Sequence, residues 1–146
     1  MANILVGSDH AGFAFKELVK KRLAALGFEA VDVGCFSEAS CDYPIFARDL
    51  CEKIQQNVEK KGVLICGTGL GMSMAANRFK GVRAALCANE YHARMSRAHN
   101  DSNVLCLGAR VLGQDLALSI LEVWLATEFE GGRHQGRVDM IESICT

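Results

Sequence analysis

The feature that most constrains this chain is a glycine-rich loop that follows a short apolar run. Residues 63–66 are all apolar, and glycines stand at Gly67, Gly69 and Gly71. A short apolar run that ends in glycines is typical of a buried parallel strand, and residues 72–78 favour a helix. Glycine permits positive backbone φ angles, and the first amides of a helix have no internal partner. The pattern predicts a strand, a loop and a helix, with amide groups that can bind negative charge.

Cys66 ends the predicted strand and is the first candidate for a catalytic residue. The positive end of a helix dipole favours a thiolate by up to ~2 kcal/mol. A thiolate beside amides that hold an oxyanion can remove a proton next to a carbonyl and stabilise the resulting enediolate. The alternative is that Cys66 is only a small core residue on a buried strand. The adjacent glycine loop favours the catalytic interpretation.

Composition narrows the class of protein. The chain has 146 residues, half of them hydrophobic, so we expect residues 1–146 to form one domain. A net charge of −1 with scattered basic residues argues against nucleic acid as a partner. The lack of a signal-peptide pattern and of a long apolar run predicts a cytoplasmic protein that does not enter a membrane. The seven cysteines contain no Cys-x-x-Cys pair, which argues against a disulfide framework or a zinc site.

The order of patterns along the chain predicts an α/β fold. Apolar runs indicate strands over residues 3–7, 29–33, 63–66, 82–87 and 104–107. Helical spacing and breaker residues indicate helices over 13–26, 44–59, 72–78, 90–98, 113–127 and 133–144. Strands that alternate with helices form parallel sheets with right-handed crossovers. We therefore expect a three-layer α/β/α sandwich around a five-stranded, parallel, Rossmann-like sheet.

In such a sheet, ligands bind outside the carboxyl ends of the strands, where the strand order reverses. Asp9 and His10 follow the first strand and Cys66 ends the third, so a shared cleft is expected. Asp9 is suited to bind a hydroxyl or move a proton, and His10 to meet a phosphate or ring oxygen. Alternatively, Asp9 caps the helix that follows it.

Three arginines are candidates for binding an anion. Arg133 and Arg137 stand one helical turn apart after a Gly-Gly break, so their guanidinium groups can converge. Arg110, just past the fifth strand, is a candidate to join them. Two or three charge-assisted bonds of about 1.5–3 kcal/mol each suffice to hold a phosphate. The alternative for the pair is a solvated basic face.

Two further residues allow two interpretations each, and two more are assigned to the surface. His99 lies in a polar loop, where a histidine is either solvated or catalytic. Tyr43 is equally suited to pack and to donate its hydroxyl to a substrate. Arg94 and Arg97 are assigned to the exposed face of their helix.

The glycine loop also resembles part of a dinucleotide-binding fingerprint, but it fits poorly. The last required glycine is replaced by Met72, and the loop follows the third strand instead of the first. The chain also lacks the lysine-containing loop of nucleoside triphosphatases.

Six short motifs occur in order along nearly the whole chain. They are Gly-Ser-Asp-His-Ala-Gly (7–12), Asp-Tyr-Pro (42–44), Ile-Cys-Gly-Thr-Gly-Leu-Gly (65–71), Ala-Ala-Asn-Arg (75–78), Ser-Arg-Ala-His-Asn-Asp (96–101) and Glu-Gly-Gly-Arg-His-Gln-Gly-Arg (130–137). Taken together they resemble the ribose-5-phosphate isomerase B family. The resemblance implies interconversion of D-ribose 5-phosphate and D-ribulose 5-phosphate without metal or cofactor.

The resemblance also implies roles for individual residues. Cys66 matches the base that moves a proton between C1 and C2, and His99 matches the acid that opens the furanose ring. Thr68 lies in the enediolate cradle and can add its hydroxyl. The cradle corresponds to the amides of Gly67, Thr68, Gly69, Leu70 and Gly71. Hydroxyl-binding positions match Asp9 and Asn100, and residues around the phosphate and ring match His10, Arg110, Arg133 and Arg137.

Family members are dimers or dimers of dimers whose sites draw on two subunits, which implies a homo-oligomer with a shared C-terminal arm (about 131–146). The strand order is implied to be 2-1-3-5-4. One branch of the family lacks the cysteine and uses a glutamate just after the last loop glycine. Here that position is Met72, which cannot accept a proton, so the chemistry falls to Cys66.

Two other functions stay open at the level of sequence. Isomerases of six-carbon sugar phosphates, such as allose 6-phosphate or galactose 6-phosphate, share the fold and much of the site. A regulatory module that binds a sugar phosphate without converting it belongs to a different class. Cys66, His99 and the arginines occur together, which favours a self-sufficient enzyme.

Overall fold

The computed structural model describes residues 2–57 and 60–144 as a parallel sheet with helices on both faces. The strands are β1 Asn3–Ser8, β2 Glu29–Gly34, β3 Lys61–Cys66, β4 Ala84–Leu86 and β5 Val104–Gly108. The helices are α1 Phe13–Ala25, α2 Tyr43–Gln56, α3 Leu70–Ala76, α4 Glu90–Ala98, α5 Gln114–Ala126 and α6 Arg133–Ser143. None of these helices has a stretch long and apolar enough to cross a membrane.

The five strands are all parallel and lie in the order β2-β1-β3-β5-β4. This arrangement confirms the predicted three-layer α/β/α sandwich and the predicted strand order. The chain moves from β1 outward to β2 and then returns to place β3 on the other side of β1. The strand order therefore reverses between β1 and β3, which is the position where open parallel sheets bind ligands.

Successive side chains of the central strands point to opposite faces of the sheet, which divides the core into two halves. Val63 and Ile65 face one side of the sheet, where they pack in a cluster with Trp124 of α5. Leu64 faces the other side and packs in a cluster with Leu50 of α2. Because successive side chains of a strand point to opposite faces, a strand covered on both faces must be apolar throughout. The central position of β3 thus explains the continuous apolar run that precedes the glycine loop.

Several predicted boundaries differ from the structure. The helix expected over 44–59 ends at Gln56, and residues 58 and 59 lie outside the described part of the chain. The fourth strand is shorter than 82–87, because the Val82 amide bonds back to Phe79 in a turn. The helix after the glycine loop begins at Leu70, two residues before the expected start, and ends at Ala76.

The assignment of Arg97 to an exposed face is wrong. Arg97 is 5% exposed, whereas Arg94 is exposed as expected. The guanidinium group donates to the Thr127 carbonyl at 3.2 Å and to the Asp101 carboxylate at 3.0 Å. It also donates to the Ser102 carbonyl at 2.5 Å. A buried arginine with this many acceptors joins the end of α4 to the loop before β5 and to the residue that follows α5.

The carboxyl end of β5 packs directly against the glycine loop. A Cβ atom built on Gly108 would lie 2.5 Å from the carbonyl oxygen of Thr68, which is closer than non-bonded atoms approach. Only a residue without a side chain lets the loop sit this close to the sheet.

We expect Gly108→Ala to lower the free energy of unfolding by about 1–3 kcal/mol, because the new methyl group displaces backbone that cannot rotate away. The control is Gly113→Ala, where φ is −67° and no atom lies within 4 Å of the added Cβ. Its cost is expected to stay below about 1 kcal/mol. Urea unfolding measures both, and equal stability of the two variants would contradict the close approach.

Candidate active site

Cys66 lies at the carboxyl end of β3 with its sulfur against the glycine loop. The Gly69 amide donates to Cys66 Sγ at 3.2 Å. Gly69 adopts the left-handed region, with φ +80°, and precedes the first residue of α3. An amide N–H directed at a sulfur is the kind of donor that can bind a thiolate. The local backbone therefore supplies one hydrogen-bond donor to this sulfur.

The alternative interpretation of Cys66 as a core residue is also partly right. Cys66 retains only 4% of its surface and packs in the cluster beneath α2 and α3. Four other described cysteines, Cys35, Cys51, Cys87 and Cys106, are also buried. Burial raises the pKa of the Cys51 thiol to about 12 and of the Cys87 thiol to about 11. What distinguishes Cys66 is the amide directed at its sulfur.

The rest of the loop presents further polar groups. Thr68 is exposed, and its hydroxyl accepts a hydrogen bond from the Leu70 amide at 3.2 Å. The Tyr43 ring covers Gly71 so closely that a Cβ there would lie 2.5 Å from Cζ and 2.9 Å from Oη. The Tyr43 side chain thus packs and also carries its hydroxyl to the start of α3. Both roles weighed for Tyr43 are therefore compatible with its position.

Arg110 reaches the same loop from the end of β5. Its amide donates to the Gly67 carbonyl at 2.9 Å. Its side chain lies 3.5 Å from the position that a Cβ on Gly67 would occupy. A guanidinium group beside amide donors provides a second source of positive charge at this edge of the sheet.

Asp9 and His10 follow β1, the neighbour of β3. Asp9 is 6% exposed, and its Oδ1 accepts from the Gly12 amide at 3.1 Å just before α1. Asp9 therefore caps the turn before α1, whereas α1 itself begins after Gly12 without a side-chain cap, so the alternative interpretation holds only for the turn. A carboxylate has two oxygens, so the cap leaves acceptor capacity for a hydroxyl.

The orientation of His10 depends on a loop that sequence patterns did not single out. The Cys41 amide donates to His10 Nδ1 at 3.2 Å. Nδ1 is thus an acceptor, and the proton of the neutral ring belongs on Nε2. His10 can then donate from Nε2 to an oxygen of a ligand.

Lys16 holds this loop and is fully buried. Its Nζ donates to Asp32 at 2.7 Å and to the Cys35 carbonyl, and lies 5.3 and 5.0 Å from the Phe13 and Phe36 rings. Burial by itself raises the pKa of Asp32, but the lysine and amide donors outweigh it and lower the pKa from 3.8. Helical spacing aligns Lys16 with Val19 and Leu23, the two apolar residues buried on the same face of α1, so its position carried a signal of burial that its charge obscured.

His99 and Asn100 lie at the opposite edge of the sheet. Cys66 pairs with Gly108 and Gly62 pairs with Val104, so the two edges are about 13 Å apart along the strands. His99 ends α4, whose last turn lies beyond the amino end of β5. The structure therefore does not bring His99 to Cys66 within one chain.

The start of α6 lies beside His99. The His99 and His134 rings stack with centroids 4.1 Å apart and planes 12° apart. Glu130 Oε1 lies 3.9 Å from His99 Nε2 and 3.6 Å from His134 Nε2. Burial lowers the pKa of His134, and the positive charges of His99, Arg133 and Arg137 lower it further, against the opposing effect of Glu130.

His99, Glu130 and His134 are of the types that bind divalent metals, and their donor atoms lie within 4.8 Å of one another. Imidazole nitrogens donate in the plane of the ring. Because the two planes are nearly parallel and separated, their lone pairs do not converge on one point. Stacked in this way, the two rings do not form the ligand set of one metal ion.

The predicted site residues thus form two groups in one chain. The group at the carboxyl edge consists of Asp9, His10, Tyr43, Cys66, Gly67, Thr68, Gly69, Leu70, Gly71 and Arg110. The group at the other edge consists of His99, Asn100, Arg133 and Arg137, the two arginines being exposed on α6. Arg110 does not join the arginine pair within one chain.

These features define an α/β protein with a cysteine and an amide cradle at the point where its strand order reverses. Residues 4–141 match the ribose/galactose isomerase family. The chain belongs to that family.

Named relatives agree over nearly the whole length. Ribose-5-phosphate isomerase B of Escherichia coli is 44% identical over 144 residues, which cover 99% of this chain and 97% of the relative. The structure of the Clostridium thermocellum ribose-5-phosphate isomerase B matches with a TM-score of 0.94 and 48% identity, covering 97% and 96% of the two chains. The Mycoplasma genitalium protein of the same name, solved with bound ribulose-5-phosphate, matches with a TM-score of 0.93 and 42% identity, covering 97% and 95%.

The buried lysine offers a direct test of how the His10 loop is held. We expect Lys16→Met to lower the free energy of unfolding by about 1–3 kcal/mol at neutral pH, because the Cys35 carbonyl loses its donor. Lys16 helps to hold the pKa of Asp32 below 3.8. That contribution to stability is present above this pH and is lost as the pH falls below it.

The stability difference between Lys16→Met and the natural chain should therefore shrink in acid. Urea unfolding at neutral and acidic pH measures it. Lys21→Met, at an exposed position of the same helix, is the control and should change stability by less than about 0.5 kcal/mol. A loss for Lys16→Met no larger than for this control would contradict the anchoring role.

Proposed function

We propose that this chain is a ribose-5-phosphate isomerase that interconverts D-ribose 5-phosphate and D-ribulose 5-phosphate. The observation that carries the proposal is the Gly69 amide 3.2 Å from Cys66 Sγ, at the point where the strand order reverses. Aldose–ketose isomerisation needs a base for the proton next to a carbonyl and donors for the enediolate oxygens. The names of the relatives support the same reaction.

The first step opens the furanose ring. The ring form of ribose 5-phosphate has no carbonyl, so its C1–O4 bond must break before the C2 hydrogen becomes acidic. In our proposal His99 gives a proton to O4 as that bond breaks, while the O1 proton passes to solvent and the C1–O1 double bond of the aldehyde forms. Asp9 binds a sugar hydroxyl through its remaining acceptor capacity.

The second step moves a proton between adjacent carbons. The Cys66 thiolate takes the proton from C2, and the electron pair of that bond forms the C1–C2 double bond of the enediolate. The amides of the loop and the Thr68 hydroxyl hold the developing negative charge. The O2 proton moves to O1, and the thiol then returns its proton to C1 as the C2 carbonyl forms, which gives the ketose and restores the thiolate. The family branch that uses glutamate has no counterpart here, because Met72 is apolar and fully buried.

We further propose that two copies of the chain complete each site. His99 and the arginine pair lie about 13 Å or more from Cys66 along the strands, so one chain cannot apply both to one sugar. A second copy can bring its His99 edge to the carboxyl edge of the first. Apolar side chains left exposed support such a contact: Met140 is 68% exposed and Ile141 49% on α6, and Met74 is 68% exposed on α3.

The phosphate would then lie between positive groups of both copies. Arg110 and His10 approach it from the chain that supplies Cys66, and Arg133 and Arg137 approach it from the partner. Four donors of this kind bind a phosphate more firmly than the pair alone.

We also propose that residues 1–146 act as one domain, and that the protein is cytoplasmic. The six described cysteines are free thiols, as expected in a reducing compartment.

The role of Cys66 is tested by Cys66→Ala. We expect turnover of ribose 5-phosphate to fall by about 10²–10⁴-fold, because a general base is lost, while sugar phosphate still binds. Cys87→Ala removes another buried sulfur and is the control, with turnover expected within about threefold of the natural chain. Coupled assays measure turnover, and calorimetry measures binding. Near-normal turnover of Cys66→Ala would remove the cysteine from this role.

The same assay separates the alternative substrates. Ribose 5-phosphate and allose 6-phosphate are compared at equal concentrations, and we expect the pentose phosphate to be converted. Faster conversion of the hexose phosphate would move the assignment to a six-carbon substrate. Binding of either sugar without conversion by the natural chain would favour the regulatory module.

Mixing two inactive variants tests whether sites are shared between copies. Cys66→Ala and His99→Asn chains are unfolded together, refolded and assayed for ribose 5-phosphate turnover. If each site takes Cys66 from one copy and His99 from the other, an equal mixture should recover about a quarter of the natural activity, because half of the dimers carry one intact site. No recovery in the mixed dimers would place both residues in one chain.

A further inference from the structure

We propose that His134 is a positioning residue for His99, and that His134 itself stays uncharged in the stacked pair. This inference rests on the proposed function, in which His99 opens the sugar ring. It assigns a role to a residue that touches His99 and that had none within the sequence motif at 130–137.

The backbone segment between α5 and α6 places the His134 ring against His99. The Glu130 amide donates to the Ala98 carbonyl at 3.0 Å, which ties the segment after α5 to the end of α4. Gly131 and Gly132 then take positive φ angles of 66° and 55°, which residues with side chains adopt at a cost. The chain turns sharply there, and the second residue of α6 is His134. The Gly-Gly break therefore serves to place this ring.

Stacking restricts how the His99 ring can turn. The His134 side chain is 8% exposed and fixed, whereas the His99 side chain is 37% exposed. One face of the His99 ring is covered at a centroid distance of 4.1 Å, and the ring keeps an open side toward solvent. An acid that must deliver its proton to one oxygen gains from such a fixed ring plane, because misplaced donors transfer protons poorly.

Burial and the neighbouring charges disfavour a positive charge on the His134 ring. Two positive rings at this separation would repel each other strongly in a half-buried place. Burial, the charge of His99 and the neighbouring Arg133 and Arg137 all disfavour a proton on His134, and only Glu130 opposes them. Glu130 Oε1 lies 3.6 Å from His134 Nε2, and its opposing effect is still outweighed. His134 is therefore the uncharged ring of the pair.

Two substitutions separate stacking from proton transfer. His134→Ala removes the ring, whereas His134→Phe keeps a flat ring that cannot take a proton. His92→Phe makes the same replacement at an exposed histidine on the first turn of α4 and is the control. Folding of each variant is checked by circular dichroism and its assembly by light scattering.

A substrate without a ring provides a readout that a general structural role would not move. The 4-deoxy analogue of ribose 5-phosphate lacks the hydroxyl that closes the five-membered ring, so it is open-chain and needs only the proton transfer. We expect His134→Ala to lower kcat/KM for ribose 5-phosphate by about 10- to 100-fold and to change the value for the analogue by less than about threefold. His134→Phe should restore the ribose 5-phosphate value to within about threefold of the natural chain.

Histidine NMR signals provide the second readout. As the pH falls through neutrality, the His134 ring of the natural protein should stay neutral. Protonation of His134 near neutral pH would overturn its assignment as the uncharged ring. Equal losses of His134→Ala on ribose 5-phosphate and on its 4-deoxy analogue, or a His134→Phe variant as poor as His134→Ala, would overturn the positioning role. If the natural chain itself converts neither sugar, the proposed function fails first, and the NMR result still decides the state of the pair.

Discussion

The hydrogen bond from the Gly69 amide to the Cys66 sulfur is the contact on which the rest of the site depends. Its length of 3.2 Å requires the positive φ of Gly69, the start of α3 at Leu70 and a β5 end that carries no side chain at Gly108. Each of these is a backbone property. Other cysteines of the core lie in comparable burial, and burial raises the thiol pKa of Cys51 and Cys87. One amide donor therefore separates the candidate base, Cys66, from the other sulfur atoms of the core.

Sheet topology explains both the position of the site and its incompleteness. The reversal of strand order between β1 and β3 places Asp9 and His10 beside Cys66, since all three follow or end neighbouring parallel strands. The same topology carries His99 to the far edge, because α4 runs back along the sheet toward the start of β5. A chain of this fold cannot join the two groups by a small loop movement. In our proposal a second copy of the chain supplies its His99 group to the Cys66 group of the first.

Much of the fold and part of the site follow from sequence patterns. The apolar run at residues 63–66 and the glycines after it predicted β3 and the loop, because glycine and strand periodicity act locally. The separation of His99 from Cys66 depends on helix direction across the sheet, which no local pattern records. Burial of Lys16 and Arg97 was also missed, since the partners that offset the cost of burying each charge are distant in sequence. These partners are Asp32 for Lys16 and Thr127 for Arg97. Stacking of His134 on His99 depends on a turn at two glycines whose angles appear only in the structure.

A crystal structure of the protein with bound ribulose 5-phosphate would decide whether Cys66 is the base that moves the proton. We expect Cys66 Sγ to lie about 3–3.5 Å from C1 or C2 of the open-chain sugar, with the sugar oxygens facing the loop amides. We also expect His99 at that site to come from the partner subunit. A sugar bound elsewhere, or a Cys66 sulfur turned into the core and shielded from both carbons, would rule out this role.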